Sequence, residues 1–343
     1  MDDSPCMRRG LRVGIACNIK TNHDTEEQAE FDEPETIAAI DNALKSAGFE
    51  TVILEATDNF PQTLTIEKPD IVFNIAEGKT GRNREAQVPA ILEYYDIPYT
   101  GSDAATLSIA LDKALTKQIV KNSGVETPDF FVIKSGDSDF PADIRFPVLV
   151  KPNAEGSSKG ISDTCVAEDS AALAELIREM GSEYEQDLLA EQYIYGREFT
   201  VGLIGNVSET LVFEPMEIIY RKRRGAYKIY SYNVKTNYKE YISYECPPQL
   251  SEDLKTQMMA AARTAYETLR CLDFARVDFR LSADEKIFFI EINPLPGLAP
   301  GYSDYIMLAQ FNGIEYDELI VKILRSALKR LEMKAVENYG RTN

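Results

Sequence analysis

Hydrophobic positions along the chain switch repeatedly between two periods. RVGIACNI (12–19) is an apolar run that predicts a buried strand, and PETIAAIDNALKSAGF (34–49) carries its apolar residues at helical spacing up to Gly48. TVILEA (51–56) and DIVFNIAE (70–77) predict two further strands, and REAQVPAILEYYDI (84–97) predicts a helix with an early Pro89. Strand–helix–strand alternation with short links predicts a parallel sheet covered by helices, ending at about residue 101. SDAATLSIALDKALTKQIVKNSG (102–124) predicts one helix, capped by Ser102 or Asp103 and stopped by Gly124. DFFVIK, PVLVKP, ISDTCVA, AALAELIREMG and LLAEQYI then form a small α+β unit. Beyond it strands dominate (EFTVGLIG, TLVFEPMEII, ARVDFRL, KIFFIEI), and two helices close the chain. The pattern predicts an α/β (α+β) protein in three parts, 1–101, 102–190 and 191–343.

Composition narrows the function. A chain of 343 residues with 44% hydrophobic content can bury more than one core. No run of eighteen apolar residues occurs, and the N-terminal stretch has no apolar segment of signal-peptide length, so the reading is cytoplasmic. Cys6, Cys17, Cys165, Cys246 and Cys271 are scattered without a CxxC pair, which predicts free thiols. A single histidine, His23, argues against a zinc site or a His-based triad. The net charge of −19 argues against nucleic-acid and membrane partners. An anionic ligand must be met by lysines and arginines gathered locally.

Five stretches carry chemistry. In ARVDFRL, Arg276 and Asp278 share a strand face; in KIFFIEINPLPG, Glu291 and Asn293 do the same. The turn signal SADEK between them predicts an antiparallel hairpin with Asp278 opposite Glu291 and Arg276 opposite Asn293. Two carboxylates and an amide oxygen on one face suit Mg²⁺, although a solvated ion-pair lattice has the same signature. VLVKPNAEGSSKG ends a strand at Lys151 and enters a loop whose backbone amides, with Ser157, Ser158 and Lys159, can cradle phosphate. Lys113 and Lys117 in LDKALTKQ lie on one helix face, as a phosphate clamp or as a solvated face. LLAEQYIYGREFTVGLIG sets Glu191 and Glu198 about a strand-to-strand crossing. RKRRGAYKIYSYNVKTNYKEY (221–241) is basic and Tyr-rich, suited to a lid over a phosphate-bearing site. EGKTG (77–81) looks like the tail of a P-loop, but Phe73 stands where that motif needs glycine.

In this order and spacing, the stretches resemble the ATP-grasp ligases, and within them the D-alanine–D-alanine ligase family. The likeness runs from PYTGSDAATLSIALDKALTK through FPVLVKPNAEGSSKG and AEQYIYGREFTVGL to ARVDFRL and FIEINPLPGL. It implies an ATP-grasp fold with an N-terminal α/β substrate domain, a central subdomain and a C-terminal catalytic domain. It also implies ligation of two small amino-acid substrates into a dipeptide through an acyl phosphate, in cell-wall precursor synthesis, by a homodimer. ATP and one or two Mg²⁺ ions, with Mn²⁺ as a substitute, are the implied cofactors. By the same likeness Lys113 and Lys151 hold the nucleotide phosphates, and Ser157 and Ser158 lie in the phosphate loop. Glu191 meets the adenine amine and Glu198 the ribose. Asp278, Glu291 and Asn293 bind the metal. Arg276 and the Gly297 amide stabilise oxyanion charge, Ser157 lies near the first substrate, and Lys235 touches the transferring phosphate.

The chain also departs from the family. Glu77 stands where the family has histidine in a His-Gly pair, and Thr236 stands where it has an aromatic residue. Glu30, Asp32 and Glu77 are the alternatives for the acid that meets the first substrate's amine. The serine expected after Gly297 falls at Tyr302 or Ser303. The ATP-handling stretches match and the amino-acid-handling stretches do not. The readings left open are ligation of other amino acids or of a specialised metabolite, and ATP binding without ligation.

Overall fold

The structure, a computed structural model, describes residues 10–22, 28–156, 165–222, 227–229, 234 and 238–333. Thirteen strands are described: β1 (Arg12–Cys17), β2 (Glu50–Glu55), β3 (Ile71–Asn74), β4 (Phe130–Ile133), β5 (Val148–Pro152), β6 (Val166–Ala167), β7 (Leu188–Gln192), β8 (Gly196–Ile204), β9 (Leu211–Val212), β10 (Met216–Tyr220), β11 (Ile242–Glu245), β12 (Phe274–Ser282) and β13 (Ile287–Asn293). The helices are α1 (Pro34–Ser46), α2 (Phe60–Glu67), α3 (Gln87–Tyr94), α4 (Ala104–Leu111), α5 (Lys113–Asn122), α6 (Ser170–Tyr184), α7 (Tyr238–Tyr241), α8 (Glu252–Thr268), α9 (Asp304–Phe311) and α10 (Tyr316–Arg330). None of the described helices is long and apolar enough to cross a membrane. The four described cysteines are free.

The strands form three sheets. β2-β1-β3 is parallel, as the βαβ pattern requires. β4-β7-β5-β6 is antiparallel. β11-β10-β8-β12-β13, with β9 beside β8, is the large antiparallel sheet. Helix α6 covers the four-stranded sheet through Leu173, Ile177 and Met180, and α8 covers the large sheet through Met258, Ala262 and Ala265.

The last helix, α10, returns to the start of the chain. Ile320, Ile323, Leu324 and Ala327 pack in one core with Val13, Ile15, Ile37 and Ile40. Arg330, in its last turn, donates to the fully buried carboxylate of Asp273 at 2.9 Å. Asp273 also accepts from the Gly101 amide at 2.8 Å and from Asn206 Nδ2 at 2.7 Å. One buried anion thus joins the end of the N-terminal segment, the large sheet and the final helix, and each partner offsets its desolvation.

Three local expectations change. The helix expected over 102–124 is two helices, because the Asp112 backbone turns extended (φ −80, ψ 93). Asp103 caps the first by accepting from the Thr106 amide, and Asp112 caps the second by accepting from the Leu115 amide. TLVFEPMEII is likewise two short strands, β9 and β10, on either side of Pro215. Helices α2 and α9 have no counterpart in the sequence reading.

Candidate active site

The β12–β13 hairpin has the expected register. Asp278 pairs with Glu291 and Arg276 with Asn293, followed by a bulge between Asp278 and Phe279. The polar face opens into a cleft of about 1190 Å³, continuous with solvent, between the large sheet and the four-stranded sheet. Arg276 donates to both oxygens of Asp278, at 3.0 and 2.9 Å. Asn293 Oδ1 accepts from the Leu295 amide at 2.9 Å, which fixes its orientation where the strand ends. Burial raises Asp278, and only Arg276 opposes that rise strongly. Burial also pushes on Glu291, but Lys113, Lys151 and Arg276 outweigh it and leave that carboxyl lowered.

Lysines face the hairpin from the other side. The break at Asp112 places Lys113 at the first position of α5, where its ammonium lies 3.7 Å from Glu291 and donates to the Glu155 carbonyl. Asn153 reinforces the break: its side-chain amide donates to Asp112 and its Oδ1 accepts from the Ala114 amide. Lys151 enters from β5 and pairs with Glu191 of β7 at 2.6 Å. Lys117 reaches the other Glu191 oxygen at 2.8 Å and donates to Thr127 at 3.0 Å. Lys117 is 0% exposed, so it neither faces solvent nor forms a second phosphate contact; it is a buried counter-ion. Burial resists the charge on Glu191, yet the two lysines hold its pKa at about 2, while burial brings Lys117 down to about 8.

At the far end of the cleft the walls become apolar and aromatic. Leu149, Tyr193, Ile194, Ile229 and Phe279 line it together with Gln192 and Lys228. Glu198 accepts from Tyr220 Oη at 2.7 Å and pairs with Arg280 at 3.1 Å. Arg280 also donates to the Ile194 and Lys228 carbonyls, tying the crossing segment to the chain above it. Its Nε has no hydrogen-bond partner among the described residues.

Beside Gly156 lies an acidic cluster, of which Glu85 lines the cleft. Glu30, Glu77 and Glu85 bring carboxylate oxygens within 4.8 Å of one another. Arg84 donates to both oxygens of Glu30, at 2.9 and 2.8 Å, and to the Ala154 carbonyl at 2.9 Å. A side chain at Gly156 would run into Glu30. Gly78 has φ +80, and a Cβ there would overlap the Arg84 carbonyl, so the turn after Glu77 requires glycine. Burial, then Glu30, pushes Glu77 well up and Glu85 up to about 7.

A family model described as the D-ala D-ala ligase C-terminus matches residues 119–325. The D-alanine–D-alanine ligase of Carboxydothermus hydrogenoformans is 31% identical over 330 residues, covering 93% of this chain and 99% of its own. The chain belongs to the D-alanine–D-alanine ligase family. Protein y4sG of Sinorhizobium fredii is 33% identical over 296 residues, covering 84% of this chain and 86% of its own. In fold, the chain is similar to the crystal structure of the Bacillus anthracis D-alanine–D-alanine ligase complexed with ATP. The TM-score is 0.72 at 23% identity, over 94% of this chain and 99% of that one.

Of the residues that the family resemblance singles out, Lys113, Lys151, Glu191, Glu198, Arg276, Asp278, Glu291 and Asn293 all line the cleft. Gly297 lies in the loop beyond β13, where a side chain would press on Ser303 Oγ, which accepts from the Ala299 amide. Tyr302 instead meets the Tyr238 ring at 5.9 Å. Ser157, Ser158, Lys235 and Thr236 lie outside the described residues. Two charged cleft residues escaped the sequence reading, Glu85 and Arg280, and Lys228 was read only as part of the basic stretch 221–241. Arg280 had a signal, since it continues the i, i+2 series Arg276–Asp278–Arg280 along β12.

Proposed function

We propose that the cleft joins a carboxylate to an amine at the expense of ATP, in the manner of the D-alanine–D-alanine ligases. The carrying observation is the convergence of Arg276, Asp278, Glu291 and Asn293 with Lys113 and Lys151 on one cavity. Adenine fits the apolar end between Ile194, Ile229 and Phe279, with its amine toward Glu191 and the ribose toward Glu198. Glu191 is already ionised and oriented by two lysines, so it accepts without reorganising. Lys113 and Lys151 then meet the phosphates. Lys228 and Ile229, from the basic Tyr-rich stretch, cover this end, which supports the lid reading.

Asp278, Glu291 and Asn293 offer hard oxygen ligands on one face, which fits Mg²⁺, and Mn²⁺ shares that preference. The ion, when bound, supplies charge neutralisation to the phosphates. The first substrate's carboxylate attacks the γ-phosphorus, giving an acyl phosphate and ADP. The second substrate's amine attacks the acyl carbon and expels phosphate. Arg276 answers the negative charge that grows in both steps, with the Gly297 amide as a second donor. Ser157, Ser158 and Lys235 complete the phosphate and first-substrate contacts in this scheme. No side chain serves as a covalent nucleophile, in keeping with a site built from Lys, Arg and carboxylates.

The test is ADP release with Mg-ATP across D- and L-amino acids, singly and in pairs, with product mass as readout. The expected result is ADP release coupled to a dipeptide. Bound ATP with no ADP release from any pair would reduce the site to nucleotide binding.

A further inference from the structure

Arg280 lies buried at the apolar end of the cleft, and it meets its carboxylate in a way that four other arginines do not. Arg84 with Glu30, Arg197 with Glu217, Arg276 with Asp278 and Arg330 with Asp273 all form forks, in which Nε and Nη2 each meet one carboxylate oxygen. Arg280 is turned out of that geometry. Only its Nη2 reaches Glu198, 3.1 Å from Oε2, and Nε stays buried without a hydrogen-bond partner among the described residues. Tyr220 Oη donates to the same Oε2 at 2.7 Å. Both described donors thus share one oxygen of Glu198, a cleft residue, and neither reaches Oε1.

The turned guanidinium serves the backbone instead. Nη1 donates to the Ile194 carbonyl at 3.2 Å, and Nη2 also donates to the Lys228 carbonyl at 2.9 Å. The Tyr193 ring lies 4.9 Å from the guanidinium carbon. Its Oη meets both backbone groups of Lys228, donating to the carbonyl and accepting from the amide, each at 2.9 Å. Ile194 and Ile229, the residue after Lys228, stand on the two sides of the slot that suits adenine. One buried cation therefore spans both walls of that slot and one oxygen of Glu198. An ion pair that served stability alone would keep the fork, because a buried Nε–H without an acceptor is costly. What the turned geometry gains is a slot of fixed width with an open carboxylate oxygen beside it.

We propose that Arg280 is the positioning residue that makes the nucleotide site selective for a ribose hydroxyl. The proposal rests on the ATP reading above. The acceptor is Glu198 Oε1, left for an O–H donor while Arg280 and Tyr220 fix the carboxylate through Oε2. With the base seated between Ile194 and Ile229, the sugar meets Oε1 in one orientation. A deoxynucleotide lacking that hydroxyl would cover the oxygen without giving it a donor, and a site built to hydrogen-bond a hydroxyl rejects such an analogue. Arg280 itself donates nothing to the sugar; it acts through Glu198 and through the two carbonyls it ties together.

The experiment gives the full chain Mg²⁺, the amino-acid pair that releases most ADP, and ATP, 2′-deoxy-ATP or 3′-deoxy-ATP. The kcat/KM for ATP is expected to exceed that for at least one deoxynucleotide by about tenfold or more. Arg280→Met, which keeps the stem and removes every donor, is expected to bring that ratio to within about twofold, the loss for ATP falling on KM rather than on kcat. In a Glu198→Ala background the same change should leave the ratio where it is, since the acceptor is already gone. Should Arg280→Met fold poorly, Arg280→Lys carries the comparison, because one ammonium retains the charge but cannot span Glu198 and two carbonyls. Equal use of ATP and both deoxynucleotides by the parent, or a variant that keeps the parent's ratio, overturns the proposal and leaves the ligase reading intact. Without ADP release from any nucleotide the ligase reading falls, and calorimetric affinities of ATP and the two deoxynucleotides for parent and variant decide the proposal by the same ratio.

Discussion

The two ends of the cleft handle buried carboxylates in opposite ways. At the lysine-rich end, proposed above for the nucleotide, Glu191 sits between Lys117 and Lys151, and Glu291 faces Lys113, so both carboxyls are held below their ordinary range. At the acidic end, Arg84 pairs with Glu30 and Glu155, and burial with Glu30 nearby pushes Glu77 and Glu85 up. The count of cations near the carboxyls differs between the ends. A site that neutralises its own acids is complete before the ligand arrives and presents net positive charge to phosphate. A site that leaves its acids in surplus keeps protons that isolated carboxyls would have released.

The largest effect is expected at the hairpin. Glu291→Gln removes one of two facing carboxylates and should lower kcat by about a thousandfold or more, with an unchanged circular-dichroism spectrum. Activity within a few-fold of the parent would detach the metal reading from this face. Next comes the claim that the nucleotide end balances itself. Lys117→Met breaks a buried pair far from solvent and should cost about 3 kcal/mol in denaturant unfolding. It should also raise the KM for ATP, because Glu191 loses the partner that fixes its second oxygen. Unchanged stability would mean that Lys151 alone balances Glu191.

The smallest effect concerns pH. Glu85 and Asp32 are both pushed up to about 7 by burial, with neighbouring acids adding to it. The folded protein therefore binds protons that the unfolded chain has released, and these two groups subtract stability as pH rises from about 4.5 to about 7. Between pH 5 and 8 the parent should lose on the order of 1–3 kcal/mol from this source, read as a falling Tm. Glu85→Gln should flatten part of that slope. A slope identical in parent and variant would show that Glu85 is ionised throughout, and the contrast between the two ends would weaken.

The hairpin was legible in the sequence because each strand carried polar residues at i and i+2 among apolar ones, with a turn signal between them. Alternation of period two leaves one register in which all four polar groups face one way. The parallel sheet was legible from its alternating periods. The break at Asp112 was not, since DAATLSIALDKALTKQ lacks glycine and proline and only Asp112, an N-cap type of residue, marks the spot. Its cause is tertiary: Asn153, in the turn after β5, holds Asp112 and the Ala114 amide. Lys117 was misread for a related reason. Spacing showed that Lys113 and Lys117 share a face, but the direction of that face is set by Glu191, more than seventy residues further on. Helix α9, DYIMLAQF, is apolar and mostly buried from Tyr305 to Ala309, so it has no amphipathic stripe to read. The acidic corner needed Glu30, Glu77 and Glu85 from three separate segments, and no local pattern joins them.

Asp273 carries a consequence for the newly made chain. Its carboxylate is fully buried, and its guanidinium partner is Arg330, 57 residues later. During synthesis β12 and β13 emerge from the ribosome well before that partner. Until residue 330 is clear of the exit tunnel, Asp273 has the Gly101 amide and Asn206 but no counter-charge, and α10 cannot lie on the first sheet. Docking of the opening segment onto the large sheet therefore waits on the last helix, and a chain cut short at residue 329 would stop one ion pair before it.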